Sequence, residues 1–119
     1  MPLLTKSNNK PNTAMQPTKQ ELHDTIVATL RTIYDPEIPV NIYDLKLIRA
    51  IDIDDRFNVH IALTMTAPDC PEAEFMYRDV LQLVGGLTGV RNIDIELTFN
   101  PPWSPDDLDD DIKLELGLL

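Results

Sequence analysis

The chain has 119 residues, a formal net charge of −10 at pH 7 and a hydrophobic fraction of 43%. This length suits one compact domain rather than two, and this apolar content can fill a modest core. The strong negative charge argues against a nucleic-acid backbone or an anionic membrane as the main partner. We therefore expect a soluble protein that meets metal ions, basic surfaces or other proteins.

The first 17 residues differ from the rest of the chain in composition. They are rich in Asn, Thr, Pro and Lys, show no periodicity and lack the apolar run of a signal peptide. We interpret residues 1–17 as a disordered leader and residues 18–119 as a single domain. No stretch reaches membrane-spanning length, and the single cysteine cannot form an internal disulfide. A cytoplasmic protein is the simplest interpretation.

Apolar spacing predicts one helix and two strands in the first half of the domain. Residues 18–21, TKQE, have the form of a helix capping box, and the helix should end near Tyr34. Its buried face would carry Leu22, Ile26, Leu30 and Ile33. After the acidic loop 35–44, strands are predicted at 46–54 and 59–65, which should form a hairpin. The second strand would alternate inward and outward residues: Val59, Ile61, Leu63 and Met65 inward, His60, Ala62 and Thr64 outward.

The second half of the domain predicts helix, strand and helix. The segment TAPDCP (66–71) opens the second helix, with Pro71 at the first helical position and Gly85 and Gly86 at the end. The apolar stripe of that helix would consist of Ala73, Met76, Val80 and Val84. A third strand follows at 90–99, with four inward residues: Ile93, Ile95, Leu97 and Phe99. The last helix would be capped by Ser104, begin at Pro105, dock through Leu108, Ile112 and Leu116, and stop at Gly117.

The order of these elements predicts the fold class. The order α-β-β-α-β-α describes a small two-layer α+β domain, in which helices cover one face of a three-stranded sheet. A right-handed crossover through the second helix makes the third strand parallel to the second. The pattern leaves open whether the third strand lies beside the first or the second.

Cys70, the only cysteine, is the first candidate for chemistry. If the second helix begins at Pro71, the thiol lies at the cap position, near unpaired amide hydrogens and the positive end of the helix dipole. Both favour the thiolate, which is the form that binds iron or attacks an electrophile. The negative charges of Asp69, Glu72 and Glu74 act in the opposite direction. A buried Cys70 that only fills space is the alternative.

One thiolate per chain limits the metal chemistry at Cys70. An iron–sulfur cluster needs roughly four ligands, and the chain has only two histidines, too few for the usual zinc site. A metal at Cys70 would therefore need carboxylates, a second subunit or external thiols. Asp35, Glu37 and Asp44 are candidate oxygen donors. Their loop joins the first helix to the first strand, so it could lie at the same sheet edge as residues 66–71.

Other polar residues have plainer interpretations. His60 lies in the middle of a strand on its outward face, so we interpret it as a solvated sheet residue, and His23 as a helix-surface residue. The acidic run DDLDDD (106–111) is typical of a helix cap and a solvated face. Trp103 is interpreted as a hydrophobic anchor for the tail. An enzyme that uses Cys70 as nucleophile would lack a credible base.

Three segments closely resemble the SufT-type family of iron–sulfur maturation factors: DPEIPVNIYDLKLI (35–48), LTMTAPDCP (63–71) and NPPWSPDDLDDDIKLELGL (100–118). The family pattern combines an Asp-Pro-Glu loop, an Asp-Leu-Gly-Leu-Ile strand start, a Thr…Gly-Cys-Pro turn and an Asp-Pro-Pro-Trp tail. The resemblance covers about residues 18–119. The chain departs from this pattern at Lys46, where the family usually has Gly, at Asp69, where Gly often precedes the Cys, and at Asn100, where Asp often precedes the prolines.

The resemblance implies an iron–sulfur-cluster-assembly type of domain with an auxiliary, non-catalytic role in iron–sulfur protein maturation. It implies that Cys70 transiently binds iron or an iron–sulfur cluster, with none held permanently. Asp35, Glu37 and Thr66 would belong to the same site. Partners would be assembly proteins and client apoproteins, and a homodimer could bring two Cys70 thiolates together. The alternatives are a protein–protein adaptor without metal binding, a thiol-dependent enzyme, and an accessory subunit of a phenylacetate-type oxygenase.

Overall fold

The computed structural model describes residues 16–35, 38–66 and 73–118. These residues form helices α1 (Lys19–Leu30), α2 (Ala73–Gly85) and α3 (Asp110–Glu115), strands β1 (Ile48–Ile53), β2 (Asn58–Leu63) and β3 (Asn92–Leu97), and a 3-10 turn at Pro105–Asp107. The predicted order and the α+β fold class are confirmed. None of the helices in this part of the chain is long and apolar enough to cross a bilayer. Most of the predicted leader, Glu37 and residues 67–72 with Cys70 lie outside the described residues.

The three strands form one mixed sheet in the order β1-β2-β3. β1 and β2 pair antiparallel, which confirms the predicted hairpin, and β2 pairs in parallel with β3, with Ile61 opposite Ile95. The third strand therefore lies beside the second, which the sequence left open. Because of these directions, β1 begins at the same sheet edge at which β2 and β3 end.

The hydrophobic core contains one face of the sheet and the apolar faces of α1 and α2. The buried residues of these elements include Leu22, Ile26 and Leu30 of α1, Val59, Ile61 and Leu63 of β2, and Met76, Val80 and Val84 of α2. The predicted apolar faces of both helices and of β2 are confirmed. Each large aliphatic side chain buried in this way stabilises the fold by about 1.5–3 kcal/mol.

Helix α1 ends one turn earlier than predicted. Its capping box at residues 18–21 is present, but the helix stops at Leu30 rather than near Tyr34. The amides of Thr32 and Ile33 donate to carbonyls three residues earlier, so the chain winds more tightly here than an α-helix. Ile33 remains buried, as its place on the helical face predicted.

Strand β1 begins two residues later than predicted because of the backbone at Lys46. This residue has a φ of 64°, in the left-handed region, which does not fit a strand. The family pattern has Gly at this position, and Gly adopts such a conformation without the clash of a Cβ atom. Lys46 therefore adopts the conformation that a family glycine would take more easily.

The burial of three residues differs from what strand alternation predicted. Thr64 was expected to face outward, yet it is fully buried. Leu97 and Phe99 were expected to face inward, yet their exposed fractions are 43% and 37%. β3 has a neighbouring strand on one side only, so its last residues have less cover than those of β2.

The C-terminal tail contains two short helical pieces instead of one predicted helix. Ser104 caps the 3-10 turn Pro105–Asp107, and α3 begins only at Asp110. Leu108 lies between the two pieces and is buried. Gly117 ends α3 as predicted, with a φ of 78° that favours glycine. The acidic residues of the tail occupy caps and exposed positions, as predicted.

Candidate functional site

The described parts of the acidic loop, the segment after β2 and the Trp103 tail meet at one edge of the sheet. The Thr64 amide donates to the Leu47 carbonyl at 2.8 Å. This hydrogen bond joins the end of β2 to residues 45–47, which we call the segment before β1. Trp103 Nε1 donates to the Leu45 carbonyl at 2.6 Å and joins the tail to the same segment. The half-buried indole also packs against the core, which confirms Trp103 as an anchor for the tail.

Asp35 is buried and acts as an internal hydrogen-bond acceptor of the acidic loop. Its side chain is 7% exposed, and its Oδ1 atom accepts from the Ile38 amide at 2.9 Å. The Asp35 amide in turn donates to the Val40 carbonyl at 3.3 Å. The carboxylate therefore shapes the loop that carries Glu37.

Replacement of Asp35 tests this shaping role. Asp35→Ala should lower the free energy of unfolding by about 1–3 kcal/mol, because the Ile38 amide loses its acceptor in a buried place. Asp35→Asn keeps an acceptor oxygen and should cost clearly less. Urea unfolding followed by far-UV circular dichroism measures both variants. Equal losses for the two variants would contradict the hydrogen-bond explanation and point to the negative charge instead.

Asp44, another carboxylate that the sequence offered as a metal ligand, accepts hydrogen bonds from neighbouring side chains. Its Oδ2 atom accepts from Asn41 Nδ2 at 2.9 Å, and its Oδ1 atom lies 3.4 Å from Arg31 Nη2. The Asp44 amide donates to Asn41 Oδ1 at 2.9 Å. Asp44 therefore stabilises the segment before β1 in this structure.

Two threonines lie at the end of β2. Thr66 is half-buried next to the undescribed residues 67–72, and its predicted role in ordering a turn there stays a prediction. Thr64 Oγ1 is fully buried and finds no hydrogen-bond partner among the described residues. A buried hydroxyl without a partner costs about 1–3 kcal/mol, so its presence here is unusual. Thr64 was missed because strand alternation alone places it on the outward face.

Cys70 and Glu37 lie outside the described residues, and their places in the site stay predictions. Across residues 16–35, 38–66 and 73–118, no group of three or more His, Cys, Asp or Glu side chains is placed to hold a metal ion. Of the predicted site residues, the structure describes Asp35 and Thr66, which flank two different undescribed segments.

His60 lies on the sheet face opposite the helices, between acidic residues. Its Nδ1 atom is 2.8 Å from Asp94 Oδ2 and its Nε2 atom is 3.2 Å from Glu96 Oε1, while Asp52 is its cross-strand neighbour on β1. The hydrogen bond to Asp94, with help from Glu96 and against a smaller effect of burial, raises the pKa of His60 above 6.5. His60 is thus a half-buried sheet residue with charged partners.

The raised pKa of His60 predicts a small dependence of stability on pH. The folded chain holds the imidazole proton more tightly than the unfolded chain, so this contribution is complete below about pH 6.5. It is lost as the pH rises through the higher folded-state pKa. Because the side chain is partly exposed, the loss relative to His60→Gln should stay below about 1 kcal/mol. Urea unfolding of both proteins across this pH range measures it, and a constant difference would contradict the pairing.

Residues 23–96 match the family described as iron–sulfur cluster assembly protein, which is more than half of the chain. The chain belongs to this family. It is 46% identical over 99 residues to the Fe-S protein maturation auxiliary factor of Porphyromonas gingivalis, a match that covers 83% of this chain and 94% of that protein. It is 30% identical to the Fe-S protein maturation auxiliary factor YitW of Bacillus subtilis, with 84% and 98% of the two chains covered.

The fold of this family member also matches a solved structure. The crystal structure of a domain of unknown function from Bacillus anthracis aligns with a TM-score of 0.75 and 30% identity, and covers 84% of this chain and 95% of that one. The family resemblance and the fold expected from the sequence are therefore confirmed. The role in iron–sulfur protein maturation is confirmed at the level of the family.

Proposed function

We propose that this chain is a cytoplasmic auxiliary factor that transiently binds iron or an iron–sulfur cluster through Cys70 and helps deliver it to client proteins. The observation that supports the proposal is the meeting of the segment before β1, the Trp103 tail and the end of β2, which leads to Cys70 in the sequence, at one edge of the sheet.

The number of ligands explains why binding would be transient. A cluster takes roughly four ligands, and one chain supplies a single thiolate. The remaining positions would be filled by external thiols, by Glu37, by a second copy or by the client. A client with a fuller ligand set binds the metal more tightly and so removes it. This requires no catalytic step, in agreement with relatives that are named as maturation factors.

Anaerobic reconstitution with ferrous iron and sulfide tests the ligand role of Cys70. The wild-type chain should develop the visible absorption of bound iron–sulfur species and lose it when an apo-ferredoxin is added. Cys70→Ser should bind several-fold less iron per chain, because a serine hydroxyl is a poor ligand for iron. The matched control is Ser104→Ala, which changes a hydroxyl of similar size at the 3-10 turn. Identical spectra for wild type and Cys70→Ser would remove the ligand role.

A further inference from the structure

An apolar groove lies between the acidic loop and the C-terminal tail. It has a volume of about 370 Å³, and we call it the tail groove. Its walls include Ile38 and Pro39 from the loop and Trp103, Leu116 and Leu118 from the tail. Leu118 is 53% exposed, so part of the apolar wall faces solvent. A surface of this kind is typical of a place where another apolar group docks.

The tail groove is bordered by acidic side chains. Five exposed aspartates lie within residues 106–111, and Lys113 is the basic residue that follows. Asp106 and Lys113 line a second depression of about 340 Å³ that shares Pro105 and Leu118 with the tail groove. The negative charge of residues 106–111 therefore lies directly beside the apolar wall.

The acidic residues and the apolar wall together indicate what kind of molecule would bind in the tail groove. A second copy would bring an identical acidic run against the first, in a chain whose net charge is −10. A segment with Lys or Arg beside its apolar side chains would satisfy both parts of the surface. We propose that the tail groove docks such a basic and apolar segment of a partner protein. The identity of that partner as a client or an assembly protein rests on the proposed function.

The position of the tail groove connects docking to the candidate site. Ile38 lines the groove, and its amide is the donor to the buried Asp35 carboxylate at 2.9 Å. Trp103 lines the groove and donates to the Leu45 carbonyl at 2.6 Å. A docked segment would therefore contact both the acidic loop, through Ile38, and the tail, through Trp103. Docking would hold a client next to the site of metal transfer.

The single tryptophan of the chain makes docking measurable. Trp103 lies in the wall of the tail groove, so its fluorescence should respond when the groove is occupied. The full chain is titrated with a short synthetic peptide of leucine and lysine that contains no tryptophan. We expect a saturable change of emission that weakens as salt is added. A matched peptide with glutamate in place of lysine should bind at least tenfold more weakly.

Two pairs of variants separate the tail groove from general attraction to an acidic protein. Leu118→Ser should weaken the peptide about tenfold, because the peptide loses an apolar contact. Leu114→Ser, at a residue of α3 that is 65% exposed and not among those lining the groove, should bind like wild type. Asp106→Asn with Asp110→Asn should weaken binding several-fold. The matched control removes one negative charge from α1 and one from α2, by Asp24→Asn with Asp79→Asn, and should weaken peptide binding less.

Two results would overturn the docking proposal. One is equal affinity of Leu118→Ser and wild type for the lysine peptide. The other is a Trp103 emission that changes with protein concentration alone, together with a dimer in sedimentation that Leu118→Ser abolishes, since a second copy would then fill the groove. Cys70→Ser should bind the peptide as wild type does. Failure of the peptide test and failure of reconstitution therefore report on different proposals.

Discussion

Trp103→Ala is expected to lower the free energy of unfolding by about 3 kcal/mol. Loss of a tryptophan side chain from a packed site costs about 3–5 kcal/mol, and the half-buried indole places this position at the lower end. The variant also leaves the carbonyl of the fully buried Leu45 without the donor that now lies 2.6 Å away. The tail would lose its hydrogen bond to the segment before β1 and keep the ion pair between Lys46 and Asp109.

A second variant separates packing from hydrogen bonding at this position. Trp103→Phe keeps an aromatic ring but removes the N–H donor, so its cost should be about 1–2 kcal/mol. Because both changes remove the fluorophore, urea unfolding is followed by far-UV circular dichroism. Leu114→Ala, at a 65% exposed position, should change stability by less than about 0.5 kcal/mol. A cost below about 1 kcal/mol for Trp103→Ala would contradict the role of Trp103 as the anchor of the tail.

Periodicity predicted the parts of the fold in which burial follows regular geometry. Leu22, Ile26 and Leu30 recur at helical spacing, and Val59 and Ile61 at strand spacing, and all five are buried. These patterns depend only on which side of an element meets the core. The order of the elements is compatible with only a few arrangements in which helices cover one face of a three-stranded sheet. The structure shows one of these arrangements.

Local backbone geometry and the ends of strands were harder to predict. The left-handed conformation of Lys46 follows from the tight turn between Tyr43 and Leu47, and nothing in the side chain of Lys46 indicates it. The burial of Thr64 and the exposure of Leu97 depend on what covers each strand end. Alternation predicts burial in the middle of a strand and fails at a strand end where the covering residues change.

The candidate site, like the fold, could be predicted from the sequence only in part. The acidic loop in the sequence indicated Asp35 as a candidate oxygen ligand. Only the fold shows that its carboxylate accepts a hydrogen bond from the Ile38 amide inside the loop. The tail groove was missed because its walls come from Ile38 and Pro39 at one end of the chain and from residues 103–118 at the other. Contacts between segments so far apart in sequence depend on tertiary packing, which composition and periodicity do not encode directly.

Cys70→Ala is expected to abolish function in cells while leaving the folded chain present. In a strain that lacks its own copy, this variant should restore iron–sulfur enzyme activity no better than an empty vector, because the single thiolate of the chain is gone. Aconitase activity in lysates, normalised to the amount of the chain, measures the effect. Leu114→Ala is the control and should restore activity fully.

Full rescue by Cys70→Ala would instead favour the adaptor function, in which docking alone assists maturation. Leu118→Ser then becomes the deciding variant, since it removes an apolar contact of the tail groove and leaves the thiol intact. An adaptor predicts that Leu118→Ser fails where Cys70→Ala succeeds. A carrier that uses both surfaces predicts that each variant lowers activity. In that carrier, a higher expression level should restore the activity that Leu118→Ser loses, because weak docking becomes stronger at higher concentration. A higher level of Cys70→Ala should not restore activity, because the metal ligand is missing.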